Sequence, residues 1–308
     1  MTPRFNLLPF IESTFKTNNA SKLSPLSYTS GTEAVDVLFY ESTNTFHFKE
    51  NADKKRIILH FTAGPLSSDV AQLTPAVGQP NQFVSVPFVI ARDGTIYQLF
   101  SSKHWAFNLG MKAADGNVDH IFERESIAIE ISNYGVLIPA GDVLKTIYDK
   151  TGRPDIYCNK DQVEAYVKLP ALYRKREYYA TFTDIQQDAV VCLIRWLTDK
   201  YGIKKEFMEI NDRFSCKASS QNFEGITSHV NYRKDGKWDI GSAFDWDGVI
   251  TGVQAPPLLT TRSGRGTTRG TTKKSTEESG LKGKTRGTKY SKEKEERIVE
   301  YDPYKWEL

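Results

Sequence analysis

The chain has 308 residues, of which 39% are hydrophobic, 26% charged and 12% aromatic, the profile of a globular protein rather than of a disordered, collagen-like or disulfide-scaffold chain. The formal net charge of +3 is uneven, because nine Lys or Arg against Glu277 and Glu278 give residues 260–290 a local charge of +7 and leave −4 for the remainder. The longest apolar runs, such as residues 190–197, are broken by Arg195 and fall far short of the ~20 residues that cross a bilayer. Cys158, Cys192 and Cys216 are an odd number without a CxxC spacing, which argues against a disulfide framework and a thiolate zinc cluster and favours a reducing compartment. Asn, Pro and Glu interrupt the apolar residues of positions 1–15, so no signal-peptide h-region can be drawn there and synthesis in the cytoplasm is expected.

Three parts are read along the chain. Residues 1–50 form an N-terminal extension, rich in Ser, Thr and Asn at 13–32 and ending in a strand-like run at 35–40. Residues 51–254 carry the pattern of a folded α/β domain. It begins with Arg56-Ile-Ile-Leu-His60, a short apolar run suited to a buried strand. Strand-like residues 84–90 and 96–100 flank Arg92-Asp93-Gly94-Thr95, an Asp-Gly hairpin signal. Ser126-Ile-Ala-Ile-Glu130-Ile131 predicts another buried strand whose one carboxylate faces away from Ile129 and Ile131, since strand side chains alternate. Residues 134–181, with an aromatic and basic stretch at 173–179, are read as a surface insertion.

Thr183-Asp-Ile-Gln186 then matches a capping box, with Gln186 expected to reach back to the cap. Ile185, Ala189, Cys192, Leu193, Trp196 and Leu197 follow at helical spacing, which predicts a helix ending near Tyr201, before Gly202. Residues 255–308 read as a linker, starting at Pro256-Pro257, and a disordered basic tail with an ordered end at 298–306.

Of the five histidines, His47, His60, His104, His120 and His229, context favours two. His60 closes an apolar strand and opens onto the small-residue loop Thr62-Ala63-Gly64, and His229 closes the β-like run that starts at Gly225. Lys237 and Asp239 follow two positions apart, so in extended chain they share a face. Two neutral imidazoles and a carboxylate form a three-ligand zinc set that leaves a position for water, a combination suited to amide hydrolysis. Glu130, alone in an apolar strand, is the expected proton shuttle, its pKa raised by burial, and Lys237 the expected oxyanion stabiliser. On residue types alone a structural reading stands beside this one, in which Glu130 pairs with Lys237 and Asp239 caps a turn.

The blocks His60-Phe-Thr-Ala-Gly64, Val84 through Gln98, Trp105-Ala-Phe-Asn-Leu-Gly110, Ser126 through Glu130, Thr183 through Gln186, and His229 through Gly241 are similar in order and spacing to those of the zinc-dependent N-acetylmuramoyl-L-alanine amidases. That family includes phage amidase endolysins and AmpD and shares its fold with peptidoglycan recognition proteins. The resemblance covers residues 54–250 and implies an α/β fold with a mixed central β-sheet flanked by helices. It implies Zn2+ held by His60, His229 and Asp239, with Glu130 as acid/base and Lys237 on the oxyanion. It further implies hydrolysis of the amide between N-acetylmuramic acid and L-alanine in peptidoglycan or muropeptides. The chain departs from the family at Phe61, where many members have a second His, at Ile240, where many have Pro, and at Asn108, where a cleft-lining His is frequent. Val86 and Pro87 stand where some phage members use a catalytic Tyr, which leaves the proton transfer to Glu130.

The rival expectation is a non-catalytic peptidoglycan-binding module of the same fold. The basic tail invites a nucleic-acid reading, but aromatic residues are absent from 260–289, so base stacking has little to work with. A solvated tail, or attraction to anionic cell-wall polymers, is expected instead. The expected settings are a phage lysis protein released through a holin-type lesion, a virion-associated or delivered antibacterial hydrolase, and a cytoplasmic muropeptide-recycling enzyme.

Overall fold

The computed structural model describes residues 2–256, so the expected tail and its ordered end at 298–306 lie outside the described residues. In chain order the helices are α1 (Arg4–Asn18), α2 (Leu66–Leu73), α3 (Ile121–Arg124), α4 (Asp184–Tyr201), α5 (Ala218–Gln221) and α6 (Trp246–Gln254). The strands are β1 (Leu23–Ser30), β2 (Glu33–Tyr40), β3 (Arg56–Phe61), β4 (Phe88–Ile90), β5 (Ile96–Gln98), β6 (Ser126–Ile131), β7 (Val136–Ala140), β8 (Val143–Thr146), β9 (Ile156–Asn159), β10 (Tyr166–Tyr173), β11 (Arg176–Ala180) and β12 (Gly225–Ser228).

A mixed seven-stranded sheet runs β1-β2-β5-β4-β6-β3-β12. Its centre is parallel, β4 beside β6, β6 beside β3 and β3 beside β12, and the hairpins β1-β2 and β4-β5 supply the antiparallel pairs. β3 and β6 are apolar along nearly their whole length because both faces of the sheet are covered. On one face Ile57, Leu59, Ile127 and Ile129 pack with Leu193, Trp196 and Leu197 of α4 and Val249 of α6. On the other, Val89, Tyr97 and Ala128 pack with Leu66 and Val70 of α2 and Phe15 of α1.

Helix α4 follows its sequence signals at both ends. Thr183 Oγ1 accepts from the Gln186 backbone N–H at 3.2 Å, and Gly202 adopts φ 67°, the left-handed conformation that closes a helix at little cost. The reciprocal half of the capping box does not form. Gln186 is fully buried and donates instead to the carbonyls of Ile90 and Ser132, tying the helix to two strand ends. Arg195, a polar interruption in the sequence, makes a bidentate pair with Glu33 of β2 at 2.8 Å for both contacts, and also donates to the carbonyls of Gly252 and Ala255. Residues 4–40 thus contribute a helix and two strands to the same body, and only β4, three residues long, forms within the longer run expected at 84–90.

Residues 134–181 are not a surface insertion. They build a second, antiparallel sheet in the order β10-β11-β7-β8-β9 with its own core around Leu137, Leu144, Tyr157 and Tyr178. Helix α1 docks on it through Leu8 and through an ion pair between Arg4 Nε and Asp155 at 2.6 Å. The β10-β11 hairpin escaped the sequence rules because its turn is Arg174-Lys175, both at positive φ (46° and 66°), where Asn-Gly or Asp-Gly is the usual signal.

Trp196 is 1% exposed, stacked on Tyr28 at 4.9 Å between ring centroids, and central to the larger core. Trp196→Ala is expected to lower the unfolding free energy by about 3–5 kcal/mol, read from urea denaturation.

Candidate metal centre

Three adjacent parallel strands deliver the site from their C-terminal ends, where open α/β sheets place ligands. His60 and Glu130 are register partners on β3 and β6, so they share a face. Ser228 of β12 pairs with Leu59, and His229, the next residue, enters beside His60. Asp239 returns on the following loop, where its carbonyl accepts from the Val230 N–H.

The side chains converge closely. Nδ1 of His60 and Nδ1 of His229 are 2.9 Å apart, Asp239 Oδ2 is 2.9 Å from the His229 nitrogen and 3.3 Å from that of His60, and all three residues are buried. The other ring nitrogen of His229, Nε2, lies 3.0 Å from the Leu109 carbonyl. A carbonyl only accepts, so Nε2 carries the proton and Nδ1 of the neutral ring presents a lone pair. Burial pulls His229 down to about 3, which keeps it neutral across the physiological range. Burial works to raise Asp239, but His60 and the positive Lys237 are among the neighbours that outweigh it, and the carboxyl is held well below its ordinary value.

A bare nitrogen lone pair therefore faces a carboxylate oxygen, a repulsive contact in a low-dielectric interior. One His60 proton cannot relieve every such contact, and His60 Nε2 is itself buried without a hydrogen-bond partner among the described residues. A cation at the centre would resolve the conflict. Ligands about 2.0–2.1 Å from a tetrahedral zinc lie about 3.3 Å from one another, close to the separations found. The donor set fits zinc, and the Leu109 carbonyl supplies the outer hydrogen bond that orients a ligating His.

Glu130 flanks the cluster. Its Oε2 is buried without a partner among the described residues, and burial, reinforced by the negative Asp239, raises its pKa well above the ordinary carboxyl value, Lys237 acting in the opposite sense. Asp239 and Lys237 act on both Glu130 and His229, and His60 on His229 and Asp239, so the five residues singled out from the sequence are linked through one cluster. His47, His104 and His120 are not: His47 stacks on Phe100 at 4.4 Å and on His104 at 5.3 Å, and His120 packs on Phe107 at 4.6 Å.

Several supporting residues were invisible beforehand. Asp69 of α2 is buried and accepts from Ser132 Oγ at 2.7 Å, and Thr62 also hydrogen-bonds it, so it joins the loop after β3 to the loop after β6. Gly64 permits this, since a Cβ there would lie 2.9 Å from Asp69 Oδ1. The second sheet braces both ligand-bearing segments. A Cβ on Gly135 would come 2.3 Å from the Phe61 ring, and one on Gly241 would come 2.3 Å from the Tyr173 ring. Phe61, the departure that follows the first ligand, is a packing residue.

Burial lifts Asp69 to about 7, with Ser132 and Thr62 pulling the other way. A carboxyl raised in the folded state stabilises fully below its unfolded pKa of about 3.9, and that contribution is lost as pH rises through about 7. Neutral His229 acts in the opposite sense, its contribution present above about 6.5 and lost as pH falls towards about 3. Asp69→Asn is expected to compare worst with the wild type at acid pH and to gain on it towards alkaline pH in calorimetric Tm. A difference in Tm that does not vary with pH would show an Asp69 ionised throughout.

A profile of the family described as N-acetylmuramoyl-L-alanine amidase matches residues 50–242. No curated protein sequence matches the chain. Among solved structures the chain is similar to AmiD from E. coli, in complex with the substrate anhydro-N-acetylmuramic acid-L-Ala-D-γ-Glu-L-Lys, at 17% identity and a TM-score of 0.40, covering 66% of this chain and 59% of that one. It is similar to PlyL at 17% identity and a TM-score of 0.37, covering 68% of this chain and 89% of that one. For the N-acetylmuramoyl-L-alanine amidase LysC from Clostridium intestinale the values are 13% and 0.38, covering 68% and 92%. The chain thus spans less than two thirds of the length of AmiD.

Proposed function

Because this chain belongs to the N-acetylmuramoyl-L-alanine amidase family, we propose that it hydrolyses the amide between the lactyl group of N-acetylmuramic acid and L-alanine in peptidoglycan or muropeptides, using zinc held by His60, His229 and Asp239. The observation that carries the reading is the convergence of three lone-pair donors, at 2.9–3.3 Å, beside a buried carboxyl of raised pKa. Zinc in such a set makes water nucleophilic at neutral pH and polarises the scissile carbonyl.

The chain's own residues supply the rest. Glu130 takes the proton released as the water oxygen attacks the carbonyl carbon, and delivers it to the alanine nitrogen as the C–N bond breaks, leaving a lactyl carboxyl and a free amine. Its raised pKa suits both halves of that transfer. Lys237 places positive charge where the carbonyl oxygen becomes negative. A pure binder needs neither a poised acid nor a complete ligand set, and this chain has both.

The setting we favour is a phage-type lytic or delivered cell-wall hydrolase, whose segment of charge +7 at residues 260–290 attracts anionic wall polymers. Binding to purified walls that weakens as salt rises from low to physiological concentration supports that role, and salt-independent binding opposes it.

Digestion of purified peptidoglycan with mass analysis of the products is expected to release stem peptides with an unblocked L-alanine amine. Glycan or peptide-bond scission would redirect the assignment. Glu130→Gln is expected to lower kcat by about 10²–10⁴-fold while zinc content stays at one per chain. His229→Ala is expected to lose the metal itself, and chelator is expected to abolish activity until zinc is restored.

A further inference from the structure

Away from the metal cluster, a cleft of about 390 Å3 opens between the loop before α5 and the segment that runs from Asp239 into α6. Arg213, Phe214, Ser242, Asp245, Trp246 and Asp247 are among the residues that line it. The loop is pinned, because Asn231, two residues beyond His229, donates through Nδ2 to the carbonyls of Asp212, Arg213 and Ser215 at 3.0–3.2 Å. The cleft is therefore built on the same framework that carries His229 and Asp239.

Arg213 is its unusual member. The residue is 8% exposed, its guanidinium lies 5.2 Å from the Trp246 ring centroid, and its Nε donates to the Met208 carbonyl at 3.2 Å. Among the described residues its two terminal nitrogens have no hydrogen-bond partner and it makes no ion pair. Its two terminal nitrogens stay open to the cleft, Asp247 and Glu209 act on it only through their charge, and its planar fork is the shape that receives a carboxylate through two parallel bonds.

The mouth has the opposite sign. Asp245 and Asp247 are exposed there, and Asp245 Oδ1 already accepts from the Gly248 N–H as the cap of α6, at 3.0 Å. Two carboxylates around one guanidinium repel a simple anion. They complement a ligand whose carboxylate goes in first and whose ammonium stays at the rim. The volume lies near the lower end of ligand pockets, about 300–1,000 Å3, and the Phe214 and Trp246 walls accept an aliphatic stem.

We infer that this cleft binds a ligand bearing a free carboxylate and an ammonium, the carboxylate on Arg213 and the ammonium at Asp247. Two sources share that chemistry. One is the C-terminal lysine of a substrate's peptide, with its free carboxylate and side-chain ammonium, which rests on the proposed amidase activity, and the other is a free amino acid.

The test titrates the full-length zinc-loaded protein calorimetrically with L-lysine, L-lysinamide and acetate. L-lysine is expected to bind about tenfold tighter than either analogue, the scale of one charge-assisted contact. Arg213→Gln is expected to abolish the advantage over lysinamide, and Asp247→Asn, at an exposed position, the advantage over acetate. The substrate arm compares KM for anhydro-N-acetylmuramic acid-L-Ala-D-γ-Glu-L-Lys with KM for its C-terminal amide. A tenfold rise on amidation, absent in Arg213→Gln, identifies the substrate as the source. Unchanged KM with tight L-lysine binding identifies a free amino acid. Equal binding of the three small probes, or wild-type L-lysine binding by both variants, overturns the inference. Failure to cleave either muropeptide counts against the amidase reading alone, and the calorimetry still decides the cleft.

Discussion

The structure depends on a repulsion. The neutral imidazole of His229 and the ionised carboxylate of Asp239 are held with lone pairs facing one another beside the His60 ring, at separations a shared proton cannot satisfy throughout. Burial removes the water that would otherwise screen the contact and keeps His229 unprotonated near neutrality. A divalent cation at this point would convert each repulsive contact into a ligand bond. The same desolvation and the same negative Asp239 raise Glu130, so the three converging donors and the carboxyl beside them share one environment.

Holding such a set together requires stiff support from several directions. The parallel register of β6, β3 and β12 lines up Glu130, His60 and His229, which are far apart in the chain. Asp69 joins the loops that follow β3 and β6, and the Leu109 carbonyl orients the His229 ring. The second sheet meets the site through glycines, with Phe61 over Gly135 and Tyr173 over Gly241, approaches that a single Cβ would block. Segments with no chemistry of their own therefore set the precision of the site, as preorganised electrostatics require.

The expected reading of residues 134–181 as an insertion failed for an identifiable reason. Strand signals there are short, and the decisive turn is made by Arg174 and Lys175 in left-handed backbone, residues that local rules do not associate with a hairpin. Gln186 failed in a related way: its side chain was assigned to a local cap, but two orphan strand carbonyls within reach in the folded protein compete for it and win. Both errors exchange a local partner for a distant one.

Residue chemistry and spacing alone determined that β3 and β6 are buried strands, that an Asp-Gly hairpin follows β4, and that α4 starts at Thr183 and stops at Gly202, because each depends on neighbours within a few positions. They also singled out His60, Glu130 and His229, set in or at the end of apolar strands, and Lys237 and Asp239 by their spacing after His229. Only the tertiary structure decided that three of these share a point in space, that Asp69 and Leu109 hold them there, and that Arg213 opens onto a cleft with Asp245 and Asp247 at its rim. Those facts are set by contacts between segments up to 170 residues apart, such as Thr227 with Ile57, and a pattern that repeats every two or four residues carries no record of them.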